Sequence, residues 1–323
     1  MTQDVILKVD GLSKVFESGG IRFIKDPYSV KAVQDVSFSL LRGETLGVVG
    51  ESGCGKSTLA RCVLNLIKPT TGMVSLDGNS LEYTSNKEWR RLRQRLQIIF
   101  QDPFSSLNPK LKIGRILAEP LKVHRRMSYR DALPALTELM QQVGLPETAL
   151  DKYPHEFSGG QRQRIAIARA LVLEPDIIVA DEAVSALDVS IQAQILEMLG
   201  RLKKERNLSF LFITHDLGVV RNFCDRTLVM YLGRVVEAGP VDLLLDAPLH
   251  PYTKSLRDAA PIPDVSTRQD VALLEGEIPS PANPPSGCPF HPRCPSAIDI
   301  CAFEFPETVQ LEGRSYACHN PNN

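Results

Sequence analysis

Short apolar runs bounded by turn-forming residues alternate along this chain with longer stretches whose apolar residues recur at helical intervals. Val5-Ile6-Leu7-Lys8-Val9 and Val36-Ser37-Phe38-Ser39-Leu40 read as strands, the second alternating cleanly. Between them, residues 17–29 carry Gly19-Gly20 and Asp26-Pro27, which predicts a loop. Leu46-Gly47-Val48-Val49, Ile177-Ile178-Val179-Ala180 and Phe210-Leu211-Phe212-Ile213-Thr214 are apolar almost throughout, as strands buried on both faces are. Met73-Val74-Ser75-Leu76 runs into Asp77-Gly78, a hairpin signal. Residues 227–231 and 234–237 flank Leu232-Gly233 in a second hairpin pattern. Residues 96–100 form a further strand, and Pro103 disfavours helix at Asp102, so a loop begins at Gln101.

Helical spacing appears in Leu59, Cys62, Val63 and Leu66 and from Ile113 to about Gly144, while residues 89–95 are basic and helical in composition. It returns after Ser158 with Ile165, Ala168 and Leu171, then over about 190–205, with short pieces at 242–245 and 252–256. Fully apolar strands interleaved with helices predict an α/β fold on a parallel sheet. After Ala260 the periodicity fades, and Pro261, Pro263, Pro279, Pro281, Pro284 and Pro285 punctuate the chain. This change places a domain boundary there, giving residues 1–260 and residues 261–323.

Charge and hydropathy narrow the setting. Lys and Arg number 37 against 38 Asp and Glu, so the balance makes no electrostatic case for nucleic acid or anionic lipid. No apolar run approaches the ~20 residues of a membrane helix. Met1-Thr2-Gln3-Asp4 lacks the charged and apolar regions of a signal peptide. The expectation is a cytoplasmic protein whose membrane role comes through a partner.

The strongest chemical signal is Gly50-Glu51-Ser52-Gly53-Cys54-Gly55-Lys56-Ser57-Thr58, set between a buried strand and a helix. Strand, glycine loop and helix are the context of a phosphate-binding P-loop. Successive amides can point at one anion at the positive end of the helix. Lys56 would reach the β- and γ-phosphates and the Ser57 hydroxyl would hold Mg²⁺. The bland alternative is a chance glycine turn. Ser158-Gly159-Gly160-Gln161 opens a second helix with free amides and a hydroxyl, another anion site or an ordinary N-cap. Asp181-Glu182 ends a buried strand, where two carboxylates are costly unless used or paired. One can hold Mg²⁺ and the other can orient a water. His215 ends the next strand, on the same sheet edge. Phe16 precedes the first loop; stacking on a purine and ordinary core packing are open alternatives for it.

Four of the seven cysteines crowd the end of the chain: Cys288, Cys294, Cys301 and Cys318. A Pro-rich segment with few apolar residues struggles to fold on its own core, so a metal or cross-link suits it. In a reducing compartment the cluster favours metal over disulfides. The gaps are wider than the usual zinc pairs. Four thiolates also suit a [4Fe–4S] cluster, though the spacing is not a ferredoxin run. Free structural cysteines are the remaining alternative, and His291 and His319 are substitute ligands.

In order, Gly50–Ser57 matches a Walker A loop, Gln101 a Q-loop, 157–161 the ABC signature, 177–182 Walker B, 185–188 a D-loop, and His215 an H-loop. Over roughly residues 5–260 the chain resembles the ATPase subunit of an ABC transporter, and the signature sets it apart from kinases and GTPases. Tyr153-Pro154-His155-Glu156-Phe157-Ser158, His250-Pro251-Tyr252-Thr253 and Pro284-Pro285-Ser286-Gly287-Cys288 resemble one branch, the bacterial dipeptide and oligopeptide importers, and the second of their two ATPase subunits. The tail resembles the extension of these proteins. Ala183 stands where the family usually has Pro, and Phe157 where Leu is commoner.

The resemblance implies a P-loop ABC-type nucleotide-binding domain: a RecA-like core, an antiparallel β subdomain and a helical subdomain, plus a small Cys/Pro-rich extension. It implies ATP and Mg²⁺, with Ser57, Asp181 and Gln101 at the metal, Glu182 as general base, His215 at the γ-phosphate, and Phe16 on adenine. Ser158, Gly159, Gly160 and Gln161 would contact ATP in trans, and Asp188 would signal across the dimer. It implies a heterodimer with a homologous ATPase, two membrane permease subunits, and an extracytoplasmic peptide-binding protein, on the cytoplasmic face of the inner membrane. The loop through Leu107-Asn108-Pro109 would dock a permease coupling helix, or is simply a solvated loop. The resemblance favours the [4Fe–4S] cluster, with zinc as alternative. Rival readings are an importer of nickel, glutathione or opine-like solutes, a soluble ABC ATPase acting on nucleic acid or ribosomes, and a binding-only regulator.

Overall fold

The computed structural model describes residues 4–17, 29–81, 85–259 and 276–321. The loop expected at 17–29 and the boundary expected near 260 fall outside the described residues. The strands are β1 (Val5–Glu17), β2 (Ser29–Leu41), β3 (Thr45–Val49), β4 (Thr71–Leu76), β5 (Asn79–Ser80), β6 (Leu96–Ile99), β7 (Ile177–Asp181), β8 (Ser209–Ile213), β9 (Arg226–Tyr231), β10 (Arg234–Pro240), β11 (Val309–Leu311) and β12 (Arg314–Tyr316). An antiparallel sheet has the order β2-β1-β4-β5. The main sheet runs β11-β12-β10-β9-β3-β8-β7-β6, and β9 through β6 in that order are parallel.

The near-continuous apolar runs have a direct cause: both faces of the parallel strands are covered. Ile177, Val179, Leu211, Ile213, Leu228 and Met230 face a core shared with the antiparallel sheet. Ile178, Ala180, Phe210, Phe212 and Val229 face a second core. That core is filled by the helices Ile113–Arg125, Tyr129–Gln142, Gly159–Leu171 and Val189–Arg206. The α/β architecture with an antiparallel β layer and a helical layer is thus as the sequence implies.

Two local expectations are corrected. The helix after the P-loop spans Lys56–Val63 and Leu66 is half exposed rather than on its buried face. Asn65 enters the left-handed region at φ 50° and stops the helix one turn short. The loop expected from Gln101 gives way at once to a short helix, Pro103–Ser106, with proline at its first position, where its missing N–H costs nothing.

The tail does not stand apart. Its strand β12 pairs antiparallel with β10, Glu237 opposite Tyr316 and Ala238 opposite Ser315, and β11 pairs with β12. Fully buried Phe290 packs on Tyr231 and Tyr252, with ring centroids 5.2 Å and 5.3 Å away. A segment too small for its own core therefore borrows that of the main sheet.

Candidate active site

The functional side chains collect at the C-terminal edge of the parallel strands, where an α/β sheet binds its ligands. The P-loop follows β3, Gln101 follows β6, Glu182 follows β7 and His215 follows β8. Gly55 caps the P-loop helix at φ 107°, and a Cβ there would lie 2.1 Å from the Ala32 carbonyl oxygen of the antiparallel sheet. Only glycine fits both the turn and the contact.

Inside the loop, buried Lys56 donates from Nζ to the carbonyls of Gly50 at 2.8 Å and Glu51 at 2.9 Å. Ser57 Oγ donates to Asp181 Oδ1 at 2.7 Å. Burial pushes the Asp181 carboxyl above the ordinary carboxylate range, against the pull of the Ser57 hydroxyl. A desolvated carboxylate beside a hydroxyl is an oxygen donor pair suited to a hard divalent cation.

Glu182 leaves β7 in the left-handed region at φ 50°, its N–H donated to the Ile213 carbonyl at 3.0 Å. That backbone costs a non-glycine residue about 1–2 kcal/mol and is the kind of strain that gathers at working sites. Gln101 Nε2 donates to Glu182 Oε2 at 2.8 Å, and His215 Nδ1 lies 3.7 Å from Glu182 Oε1. The glutamate thus sits between a glutamine and a histidine from neighbouring strand ends. Ala183 is buried behind it.

Other expected residues lie outside this knot of contacts. Ser158 and Gln161 satisfy each other: Ser158 Oγ accepts from the Gln161 N–H at 3.4 Å and Gln161 Oε1 accepts from the Ser158 N–H at 3.1 Å. The space beside Gly159 is open, whereas a Cβ at Gly160 would meet Ile191 Cγ2 at 2.6 Å. Asp188 is exposed at the start of the helix Val189–Arg206 and makes no side-chain cap there. Phe16 is partly exposed near the end of β1, with Lys14 Nζ 5.0 Å from its ring centroid. In the expected docking loop Leu107 is buried, while Asn108 and Pro109 are exposed.

Sequence reasoning missed what steadies the loop from outside. Tyr252 Oη accepts the Glu51 N–H at 2.8 Å, and Arg293 grips the Glu51 carboxylate with Nη1 at 2.8 Å and Nη2 at 2.9 Å. These partners are 201 and 242 residues away, beyond any local spacing signal.

In the tail, burial raises the thiols of Cys288, Cys294 and Cys318, the last to about 11. Cys318 also feels the charges of Cys294, Cys288 and Cys301, so the four thiols share one neighbourhood. Among the described residues, however, no group of three or more His, Cys, Asp or Glu is arranged to hold a metal ion. Neither the cluster nor the zinc alternative thus has a preformed ligand group among the described residues. His291 Nδ1 pairs with the Cys288 carbonyl at 2.9 Å and His319 Nε2 with the Glu304 carbonyl at 3.0 Å, which leaves the other nitrogen of each ring outside these contacts.

A nucleotide loop, a strand-end carboxylate pair and a signature helix on one sheet define an ABC ATPase, and comparison agrees. Residues 33–185 match the ABC transporter family and residues 236–301 match the oligopeptide/dipeptide transporter C-terminal region. The oligopeptide transport ATP-binding protein OppF of Escherichia coli K12 is 52% identical over 319 residues, 97% of this chain and 96% of its own. The probable peptide ABC transporter ATP-binding protein y4tS of Sinorhizobium fredii is 51% identical over 317 residues, 98% of this chain and 90% of its own. Among solved structures, the dimeric MJ0796 cassette superposes with a TM-score of 0.65 at 29% identity, over 73% of this chain and 99% of its own. The chain belongs to the ABC transporter ATPases. Within them it carries the C-terminal region of the oligopeptide/dipeptide transporter branch.

Proposed function

We propose that this chain is the ATP-hydrolysing subunit that powers uptake of di- and oligopeptides through membrane permease subunits. The observation that carries it is the pairing of a complete strand-end site with a tail that matches the peptide-transporter region and is built into the same sheet. Two OppF proteins align with 92% and 97% of this chain at 52% identity.

Lys56 and the amides of Gly50, Ser52, Gly53, Cys54, Gly55 and Thr58 bind the β- and γ-phosphates, and Glu51 holds the loop's shape. Ser57 and Asp181, with Gln101, would hold Mg²⁺, which would neutralise charge on the phosphates. Glu182 orients the attacking water and takes its proton, at a carboxylate already aligned by Gln101 and His215. Phe16 supports adenine. Each subunit supplies only part of the charge stabilisation that phosphoryl transfer needs. Ser158, Gly159, Gly160 and Gln161 complete the site of a homologous second ATPase, with Asp188 at the seam. The shared γ-phosphate closes the pair, and its loss lets the pair open.

Docking to a permease falls to the loop through Leu107-Asn108-Pro109, whose Asn108 and Pro109 are exposed; the chain continues from it to Leu111 and Arg115, which line a groove of about 1120 Å³ rich in Lys and Arg with Glu119 among them. Among the described residues no helix is long and apolar enough to cross a membrane. Attachment at the cytoplasmic face of the inner membrane would then run through that loop, and a binding protein would deliver cargo on the far side. A [4Fe–4S] cluster on Cys288, Cys294, Cys301 and Cys318 is proposed from their shared neighbourhood, although no metal-holding group is preformed there among the described residues. Iron analysis of anaerobically purified protein tests it, and a colourless, iron-free preparation refutes it.

The test of the catalytic assignment is Glu182→Gln. Retained ATP binding with turnover lowered by about 10²-fold or more is expected of a lost general base. Unchanged steady-state hydrolysis removes Glu182 from the role.

A further inference from the structure

The tail reaches back to the P-loop through one side chain. Arg293 makes a two-pronged pair with Glu51, and its side chain is only 4% exposed against 20% for the glutamate. Nη1 also donates to Tyr231 Oη at 3.3 Å. Glu51 is held at two further points, its N–H on Tyr252 Oη and its carbonyl on Lys56 Nζ. One residue therefore links the tail, the sheet and the phosphate-binding lysine.

A carboxylate in that place needs an account. Glu51 lies one residue past Gly50, in a loop whose purpose is to gather amides around an anion. Left unpaired, its charge would oppose the phosphates. It would also pull Lys56 from its task, since in a weakly solvated site like charges and unlike charges act over several ångströms. A fork-shaped guanidinium cancels the charge and fixes the carboxylate in one plane, which an ammonium does less well. Several other ion pairs are about half exposed or more on at least one partner, whereas the Arg293 side chain is buried, 5.9 Å from the centroid of the Tyr231 ring.

We propose that Arg293 is a positioning residue for ATP: by neutralising and orienting Glu51 it sets the shape and charge of the P-loop, so the C-terminal region is part of the nucleotide site. This rests on reading Gly50–Thr58 as the ATP site, and Lys56→Ala tests that reading separately. If Lys56→Ala binds ATP normally, that reading fails, whatever Arg293 does.

The experiment compares ATP binding by the full-length chain in calorimetry, and KM against kcat in the assembled transporter. Arg293→Ala should weaken ATP binding and raise KM about ten-fold, the worth of a lost charge-assisted contact, with kcat changed about two-fold or less. Arg293→Lys should recover part of the loss. The double variant Arg293→Ala with Glu51→Gln should recover most of it, because no lone carboxylate remains. A merely structural role lowers the melting temperature of both Arg293→Ala and the double variant and leaves KM where it was. An unchanged KM in Arg293→Ala, or a double variant no better than the single, overturns the proposal. Should Arg293→Ala not fold, Arg293→Gln, which also removes the charge, carries the same comparison: unaltered ATP affinity in it, or no gain on adding Glu51→Gln, overturns the proposal equally.

Discussion

Gln101 and Glu182 meet across the ends of two adjacent parallel strands, amide nitrogen to carboxylate oxygen at 2.8 Å. The contact ties the entrance of the helical layer to the residue proposed as general base. Gln101→Ala cuts this tie while leaving the P-loop whole. Its kcat should fall about ten-fold or more while ATP affinity stays within about two-fold, the signature of an interaction used in the transition state. Equal losses in affinity and rate would show that the glutamine serves binding instead.

Gly159 and Gly160 are neighbours with opposite surroundings. The Cβ of Gly160→Ala would press on Ile191 Cγ2 at 2.6 Å, so this variant should lose about 1–3 kcal/mol of stability. Gly159→Ala meets open space, so the single chain should melt as before while ATP-driven pairing with a second subunit is lost. Thermal unfolding and sedimentation separate the two. Equal melting temperatures for the pair of variants would contradict the packing account.

Phe290 is the tail's anchor in the core, wedged against Tyr231 and Tyr252. Removing a buried ring of this size costs about 3–5 kcal/mol. Phe290→Ala should therefore expose the tail to limited proteolysis well before the body of the chain. A tail that remains as resistant as in the parent protein would mean that β12 and Arg293 hold it alone.

His250 is buried, with its Nδ1 accepting the Tyr252 N–H at 3.0 Å, and burial depresses it to about 3. The unfolded chain protonates this ring near the ordinary histidine value of about 6.5. Between those values the unfolded state binds more protons, so the stability is complete above about pH 6.5 and is lost as pH falls, by at most about 1.4 kcal/mol per pH unit. His250→Asn keeps an acceptor for the cap and removes the titration. Denaturant unfolding at pH 7.5 and 5.5 should show a larger acid loss in the parent than in the variant; equal losses would exclude the ring as the cause.

Much of this was readable in the residues because the main sheet is buried on both faces. Uniform apolar runs at 177–180 and 210–214 leave little choice of structure, and Asp181, Glu182 and His215 stand out by ending them. The P-loop is legible for a different reason: its glycines, lysine and serine act over nine adjacent positions. What escaped notice is non-local. β1 runs to Glu17 rather than Val9, because a bulge between Val9 and Leu12, with Gly11 at φ 57°, breaks the alternation that marks a strand. Exposed β11 carries no two-sided pattern, so its place on the sheet edge had no signature. Leu66 kept the helical interval after Asn65 had already turned the chain. No local pattern marks Arg293, whose partner Glu51 lies 242 residues away.

The account turns on the γ-phosphate being the ligand that two ATPase subunits hold in common. The direct measurement is association of the Glu182→Gln chain with its ATPase partner, followed by sedimentation in the presence of ATP and then of ADP. The account predicts a closed pair with ATP and separate subunits with ADP. Equal association with the two nucleotides would contradict it.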